Sequence, residues 1–287
     1  MIVLWIGFLI IIVLLLSLDL GVFHRRVHAI KAKEALLWTL FWVFLALLFN
    51  VFIYFAYKNC WFGIGTAENH IKSGADAALK YFTGYLIEKS LSLDNIFVIA
   101  LIFSYFKVPA MYQHRVLFWG IMGALIMRGV MIFAGVALIK KFAWMIYVFG
   151  LFLIITAIKM LITRQDKIEP EKNILIKLAE KIYPVTKNFE GAKFFIKKGK
   201  VRSITPLFLV LLVIESTDVL FAIDSIPAIF AVTLDPFIVF TSNIFAILGL
   251  RSLYFALAAM MDKFRFLKLS LVFILAFVGV KMILSHS

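Results

Sequence analysis

Eight side chains of types that can hold a cation fall within three apolar stretches of this sequence. They are Glu88, Asp94 and Asn95; Glu215, Asp218, Asp224 and Ser225; and Asn243. Their donors are almost entirely oxygens, and none is His or Cys. Such sets suit hard or borderline divalent ions: magnesium, calcium or manganese. Zinc or copper would more often bring His or Cys. The densest stretch is Ile214–Ala231, IESTDVLFAIDSIPAIFA, where three carboxylates sit among Val, Leu, Ile, Phe and Ala. With its flanks it is long enough to cross a bilayer's hydrocarbon core, which takes roughly 20 residues. An acidic residue at mid-membrane costs about 2.5–3.5 kcal/mol on insertion scales. Three in one span point to a site for cations or a proton relay.

Helical spacing puts Glu215 and Asp218 on one face, at i and i+3. Asp224 follows nine residues after Glu215, about 180° round an unbroken helix. Pro227 cannot donate a backbone hydrogen bond and disrupts a helix. With the small residues beside it, it predicts a local unwinding that turns Asp224 inward and frees carbonyls for the ion. Arg128 and Arg251 also lie within apolar stretches, and buried arginines are almost always paired. A competing reading therefore makes the acids charge partners of Arg128 and Arg251. A division between the two tasks is expected, with the assignment of each acid open. Asn243 is either a ligand or a donor to a neighbouring backbone carbonyl. Lys89 is read as lying near a membrane boundary or against an acid. Asp235, before Pro236, reads as a turn or helix-start residue, and His24 and His28 as solvated in a basic loop.

These groups need elements to hold them, and the hydropathy supplies about eight spans: 2–23, 36–57, 81–105, 116–139, 142–162, 204–232, 237–258 and 267–284. The chain divides into an N-terminal two-helix segment (1–60), a first repeat (81–162), a basic loop (163–203) and a second repeat (204–284). The loop has room for a short amphipathic helix around Glu171–Ile182. The N-terminal apolar run has no small-residue cleavage site after it, so a retained first span is expected. The residues are 64% hydrophobic and the mean hydropathy is +1.03, values of an all-α polytopic membrane protein. The net charge of +14 reflects Lys and Arg in loops facing anionic lipid rather than nucleic acid. The 31 Phe and 6 Trp read as bilayer-facing bulk and interface anchors. One cysteine, Cys60, excludes an internal disulfide and a multi-Cys metal site.

Loops on one side of these spans carry about 20 of the 30 Lys and Arg, most of them in 163–203. That side is expected to be cytoplasmic, with both termini outside. LSLDNI (Leu91–Ile96) matches FAIDSI (Phe221–Ile226), which pairs Asp94 with Asp224 and Asn95 with Ser225. The same offset sets Glu88 against Asp218. A rival alignment, SLDNIF on STDVLF, would pair Asp94 with Asp218 but loses the upstream carboxylate match. The matched spans cross in opposite directions, so spans 3–5 and 6–8 form a 3+3 inverted repeat, with discontinuous helices expected at the acidic motifs. Asp19, in SLDLG, echoes the motif weakly. No HExxH, GxSxG, P-loop or Gly-rich dinucleotide loop occurs, so no enzyme is expected. An intramembrane aspartyl hydrolase, the catalytic rival, would not explain the matched Asp/Asn and Asp/Ser pairs.

At these residues the chain resembles the TerC family, in its Alx-type branch. The resemblance rests on LDLGVFHRRVHAI, on FTGYLIEKSLSLDNIFV (Phe82–Val98), on IESTDVLFAIDSIPAIFAVTLDPF and on TSNIFAILGLRSLYF, and it covers nearly the whole chain. It implies a plasma-membrane protein of the wider LysE-like transporter group, associated with manganese export and, by its name, with tellurite resistance. It also implies that Glu88, Asp94, Glu215, Asp218 and Asp224 form the metal path, with Asn95, Ser225 and Asn243 beside them. Alx-type members usually continue into a ninth span, whereas this sequence ends at Ser287 after the eighth.

The expectation is Mn²⁺ efflux from the cytoplasm in exchange for protons. The cation is carried rather than tightly bound as a cofactor, and Ca²⁺ or Mg²⁺ would use the same donors. The partners are the lipid bilayer, the divalent ion and protons, without nucleic acid; a homo-oligomer is left open. A scaffold or insertion-partner protein is the alternative, with the basic 163–203 loop as its docking surface. Direct tellurite handling ranks lowest, because clustered carboxylates repel an oxyanion; an indirect effect through metal homeostasis fits better.

Overall fold

The computed structural model describes residues 2–21, 32–64, 71, 73–162, 173–198, 201–258 and 267–284. His24, His28, Arg25 and Arg26, the start of the basic loop at 163–172, and Ser287 lie outside them. Helices α1 (Ile2–Gly21) and α2 (Ala32–Lys58) come first, followed by α3 (Gly74–Tyr105), α4 (Ala110–Lys141) and α5 (Met145–Ile162). The polar segment holds α6 (Ile174–Ile182) and an antiparallel pair, β1 (Phe195–Lys198) with β2 (Val201–Ile204). Four more helices follow: α7 (Pro206–Phe230), α8 (Pro236–Leu248), α9 (Leu250–Ala258) and α10 (Leu267–Leu284). This is an all-α membrane architecture. Among the described residues, five helical stretches are long and apolar enough to cross a bilayer: Lys33–Lys58, Ala110–Lys141, Met145–Ile162, Pro206–Phe230 and Pro236–Leu257. α3 is as long as α4, at 32 residues, but carries Glu88, Lys89 and Asp94 in its middle.

The helix starts follow local chemistry. Ser73 caps α3 by accepting from the Asp76 amide at 3.2 Å. Asp235 caps α8, accepting from the amides of Phe237 and Ile238 at 2.9 and 3.1 Å, and Pro236 follows in the first turn, where its missing N–H is harmless. Asp235 is thus the helix-start residue expected of it.

One expectation fails. The helices were expected to break at the acidic motifs, yet α3 and α7 run unbroken through them. Pro227 sits in the last turn of α7, so its missing N–H costs only one bond, and the helix ends three residues later at Phe230. The interruption lies instead at Gly249, between α8 and α9. There Lys89 of α3 donates to the Ala246 carbonyl at 3.3 Å. A cation is favourable against the carbonyl end of a helix, so Lys89 stitches the break.

The packing has a regular pattern. α3 lies on α8 and α4 on α7; α3 and α7 pack together, as do α4 and α8, and α5 and α10; α10 touches α3 as α5 touches α7. α5 and α10 approach through glycine: a Cβ on Gly279 would come within 3.0 Å of the Gly150 carbonyl, the close backbone contact that small residues permit in membranes.

Buried apolar residues form two clusters. One holds α1, α2, α5, α8 and α10 with Ala77–Tyr85 of α3 and Ala222–Phe230 of α7. The other holds Ile96–Phe103 of α3, Leu207–Ile214 of α7, Tyr254 of α9, Ile176 of α6 and Ile204 of β2. Glu88, Asp94, Glu215 and Asp218 fall in the stretches between the clusters. The packing thus surrounds the polar level with apolar side chains above and below.

Candidate functional site

Four helices meet at Arg128 of α4, which is 1% exposed. Its guanidinium forks onto Asp218 of α7: Nε donates to Oδ2 at 3.2 Å and Nη2 to Oδ1 at 3.0 Å. Its Nη1 donates to Oε1 of Glu88 on α3 and to Oδ1 of Asn243 on α8 at 3.3 Å. Asn243 closes the ring by donating Nδ2 to the other Glu88 oxygen at 3.1 Å. Glu88 and Asn243 are fully buried. A bidentate guanidinium–carboxylate pair is among the stronger charge-assisted arrangements. A buried ion pair tolerates desolvation only when its remaining donors and acceptors are satisfied, and here one cation serves two carboxylates and an amide. Glu88 and Asp218 are one of the two acid pairs matched by the repeat offset, Asp94 and Asp224 being the other, and both Glu88 and Asp218 are bonded to Arg128.

Next to this network lies a small cavity. Leu91, Asp94 and Asn95 of α3 line it together with Phe221, Asp224 and Ser225 of α7, and Glu88 reaches its wall. Asp224 accepts from Thr156 of α5 at 3.2 Å. Asn95 and Ser225 are 4% and 2% exposed, and neither Asn95 Oδ1 nor Ser225 Oγ has a hydrogen-bond partner among the described residues. Buried polar atoms are nearly always paired. Two orphan oxygens at repeat-matched positions on one cavity are what an oxygen-seeking cation would satisfy. Among the described residues no three His, Cys, Asp or Glu side chains converge as a ready-made ion cage, so the donors here are two carboxylates with an amide and a hydroxyl.

A second small cavity adjoins it. Asn95 and Phe221 line both, and Thr217, Asp218, Leu250 and Arg251 line only the second. Arg251 is 2% exposed and stands in this wall, at the first turn of α9.

Glu215 is separated from the rest. It lines neither cavity and lies against Gly123 of α4, where a Cβ would run into its carboxylate. The half-turn between Glu215 and Asp224 survives because α7 is unbroken: one faces α4, the other α5. Gly123→Ala is expected to push the Glu215 carboxylate off α4, at the low end of the ~1–3 kcal/mol typical of overpacking, because the clashing group is the free end of a flexible side chain. Melting of the purified protein in detergent measures this. Gly123→Ala combined with Glu215→Ala should recover the lost stability; no difference between single and double variants would mean the contact is not made.

Thr156, Phe221 and Lys89 were not among the residues singled out as functional. Thr156 had a signal, being a hydroxyl in an otherwise apolar span. Phe221 had none beyond its place in FAIDSI, since phenylalanine is common throughout this chain.

Comparison with known proteins agrees with this architecture. A sequence profile described as "Integral membrane protein TerC family" matches residues 73–287. The chain is 53% identical over 279 residues to "Uncharacterized membrane protein STKORF319" of Myxococcus xanthus, covering 97% of this chain and 82% of that one. It is 46% identical over 282 residues to an "Uncharacterized membrane protein" of Rickettsia bellii, covering 98% and 88%. Against the Escherichia coli K12 protein named "Putative membrane-bound redox modulator Alx" the identity is 45% over 282 residues, covering 98% and 85%. No solved structure matches. With a family profile spanning most of the chain and relatives aligned over nearly all of it, this protein belongs to the TerC family of integral membrane proteins, in its Alx-type branch.

Proposed function

We propose that the protein carries a divalent cation, Mn²⁺ foremost, out of the cytoplasm across the plasma membrane in exchange for protons, and that the cavity between α3 and α7 is its binding site. The observation that carries this reading is the symmetry of the cavity wall. Three pairs matched by the sequence repeat, Leu91 with Phe221, Asp94 with Asp224 and Asn95 with Ser225, line one space. The helix packing supports the inverted repeat of 81–162 and 204–284: exchanging α3 with α7, α4 with α8 and α5 with α10 leaves the main pairings unchanged. Inverted repeats of this kind hold ion sites at their interface near the bilayer midplane. The loop charge supports an orientation with 163–203 in the cytoplasm.

Proton coupling follows from energetics. Moving a divalent cation out against an inside-negative potential costs about 4.6 kcal/mol per 100 mV, at about 2.3 per charge. Carboxylates that bind the metal deprotonated can carry protons on the return. Ca²⁺ and Mg²⁺ share the donor chemistry, so the preference for Mn²⁺ rests on the family resemblance. For the relatives named as redox modulators, a cation carrier would act through metal supply; this sequence holds one cysteine, Cys60, so it has no thiol pair of its own for a redox couple. The test is Mn²⁺ flux in sealed vesicles with an imposed pH gradient. Uptake should follow the gradient in direction and size. Flux indifferent to the gradient removes the exchange, and no flux above protein-free vesicles removes the transport reading.

A further inference from the structure

We infer that Phe221, backed by Asn95, is the gate of the acidic cavity: its ring is the removable partition between the Asp94/Asp224 space and the neighbouring cavity that leads into the α4–α9 side of the protein. The inference rests on the transport reading above and concerns how the same site is reached.

Two small cavities share two wall residues, Asn95 and Phe221. Asn95 is small, buried and on the repeat-matched ligand set. Phe221 is the only large shared side chain, and it belongs to the same helix as Asp218 and Asp224, one turn from each. The two spaces differ in kind. The first is lined by Asp94, Asp224 and the orphan oxygens of Asn95 and Ser225. The second has Arg251 and Asp218 with Ile99, Leu117, Ile214 and Leu250, which belong to the apolar cluster on the side of the α3–α4 turn, α6 and the β-pair. That side carries the basic loop. An ion leaving the cytoplasm would enter by the second cavity and meet an aromatic ring before reaching the carboxylates.

The repeat sharpens this. Phe221 corresponds to Leu91, which lines the acidic cavity but not the second one. The two positions are therefore equivalent by sequence and unequal by structure, so of this pair only Phe221 stands in the shared wall, with Asn95 behind it. A bulky apolar ring is suited to it: a single rotamer change of one side chain opens or closes the path, and apolar constrictions exclude hydrated ions when shut.

The experiment measures access rather than transport, so it stands even if Mn²⁺ flux is absent. Cys60→Ser removes the native thiol and Ser225→Cys places a reporter in the acidic cavity. The rate at which a charged methanethiosulfonate reagent modifies that cysteine is followed in nanodiscs, where both faces are reachable and no metal is added. Phe221→Ala should raise the rate about tenfold, equivalent to about 1.4 kcal/mol of opening free energy. Phe221→Trp should lower it, and Leu91→Ala, which widens the acidic cavity without touching the shared wall, should raise it by much less than Phe221→Ala does. A rate in Phe221→Ala equal to that of the parent, or an equal rise in Leu91→Ala, overturns the assignment. Should Phe221→Ala fail to fold, the Phe221→Trp rate decides: no slowing overturns it. Loss of Mn²⁺ flux in the unmodified protein with the accessibility differences intact would instead remove the transport reading and keep the partition.

Discussion

Arg128→Met is expected to destabilise the fold by about 3–5 kcal/mol, the range for breaking a buried ion pair by removing one partner. The cause is the charge left behind. With the guanidinium gone, Glu88 and Asp218 would face each other uncompensated, and Asn243 would lose one of its two partners in the ring. Arg128→Lys should be only a partial substitute, because an ammonium cannot fork onto Asp218 while reaching Glu88 and Asn243. The informative variant is the triple one, Arg128→Met with Glu88→Gln and Asp218→Asn. It removes all three charges, and replacement of a buried ionic group by neutral residues is often close to neutral in stability. Thermal melting in detergent of wild type, single and triple variants measures this. If Arg128→Met melts with the wild type, the guanidinium is not what holds the two repeat helices together. If the triple variant melts no higher than the single one, the cost comes from lost packing rather than from stranded charge.

Asp94→Asn and Asp224→Asn should behave in the opposite way, leaving the protein folded and ending transport. The amide keeps the shape and one oxygen donor, so Thr156 can still donate to position 224. What it removes is a full negative charge facing the cavity. At about 4 Å and an effective dielectric of about 20, a unit-charge interaction is worth about 4 kcal/mol, and a divalent ion doubles it. Each 1.4 kcal/mol is about a tenfold change in affinity, so Mn²⁺ transport in vesicles should fall by at least about a hundredfold in either variant. Yield and melting temperature serve as the control. Normal Mn²⁺ flux in both would end the assignment of this cavity as the site. The contrast with Arg128 would separate two kinds of acid: Glu88 and Asp218, bonded to a fixed cation, and Asp94 and Asp224, proposed to act on a mobile one.

Much of this was legible in the residues alone, and for a definite reason. Lipid imposes a transfer cost on every side chain, so the apolar stretches that could span it are written locally, and the helical start at Asp235 is written in its own turn chemistry. The half-turn between Glu215 and Asp224 is equally local, being a matter of helical pitch, and it holds because α7 stays intact past Asp224. The expected unwinding at Pro227 failed because proline's effect depends on where the helix ends, and Phe230 ends it almost at once.

The pairing of charges is a different matter. Glu88, Asp94, Asp218 and Asp224 are alike in type and setting, and nothing in their neighbours along the chain tells a partner of Arg128 from a wall of the cavity. The choice depends on where α4 lies between α3 and α7, on Asn243 arriving from α8, and on Gly123 letting Glu215 come close. The same holds for Lys89 at the Gly249 break, Thr156 at Asp224 and Phe221 between two cavities. By itself the sequence determined which segments are apolar enough to cross a membrane and which residues carry charge within them, because each residue would meet the solvent change alone. The tertiary structure alone decided which of those charges neutralise one another and which face open space, because that depends on contacts between residues as many as 157 positions apart.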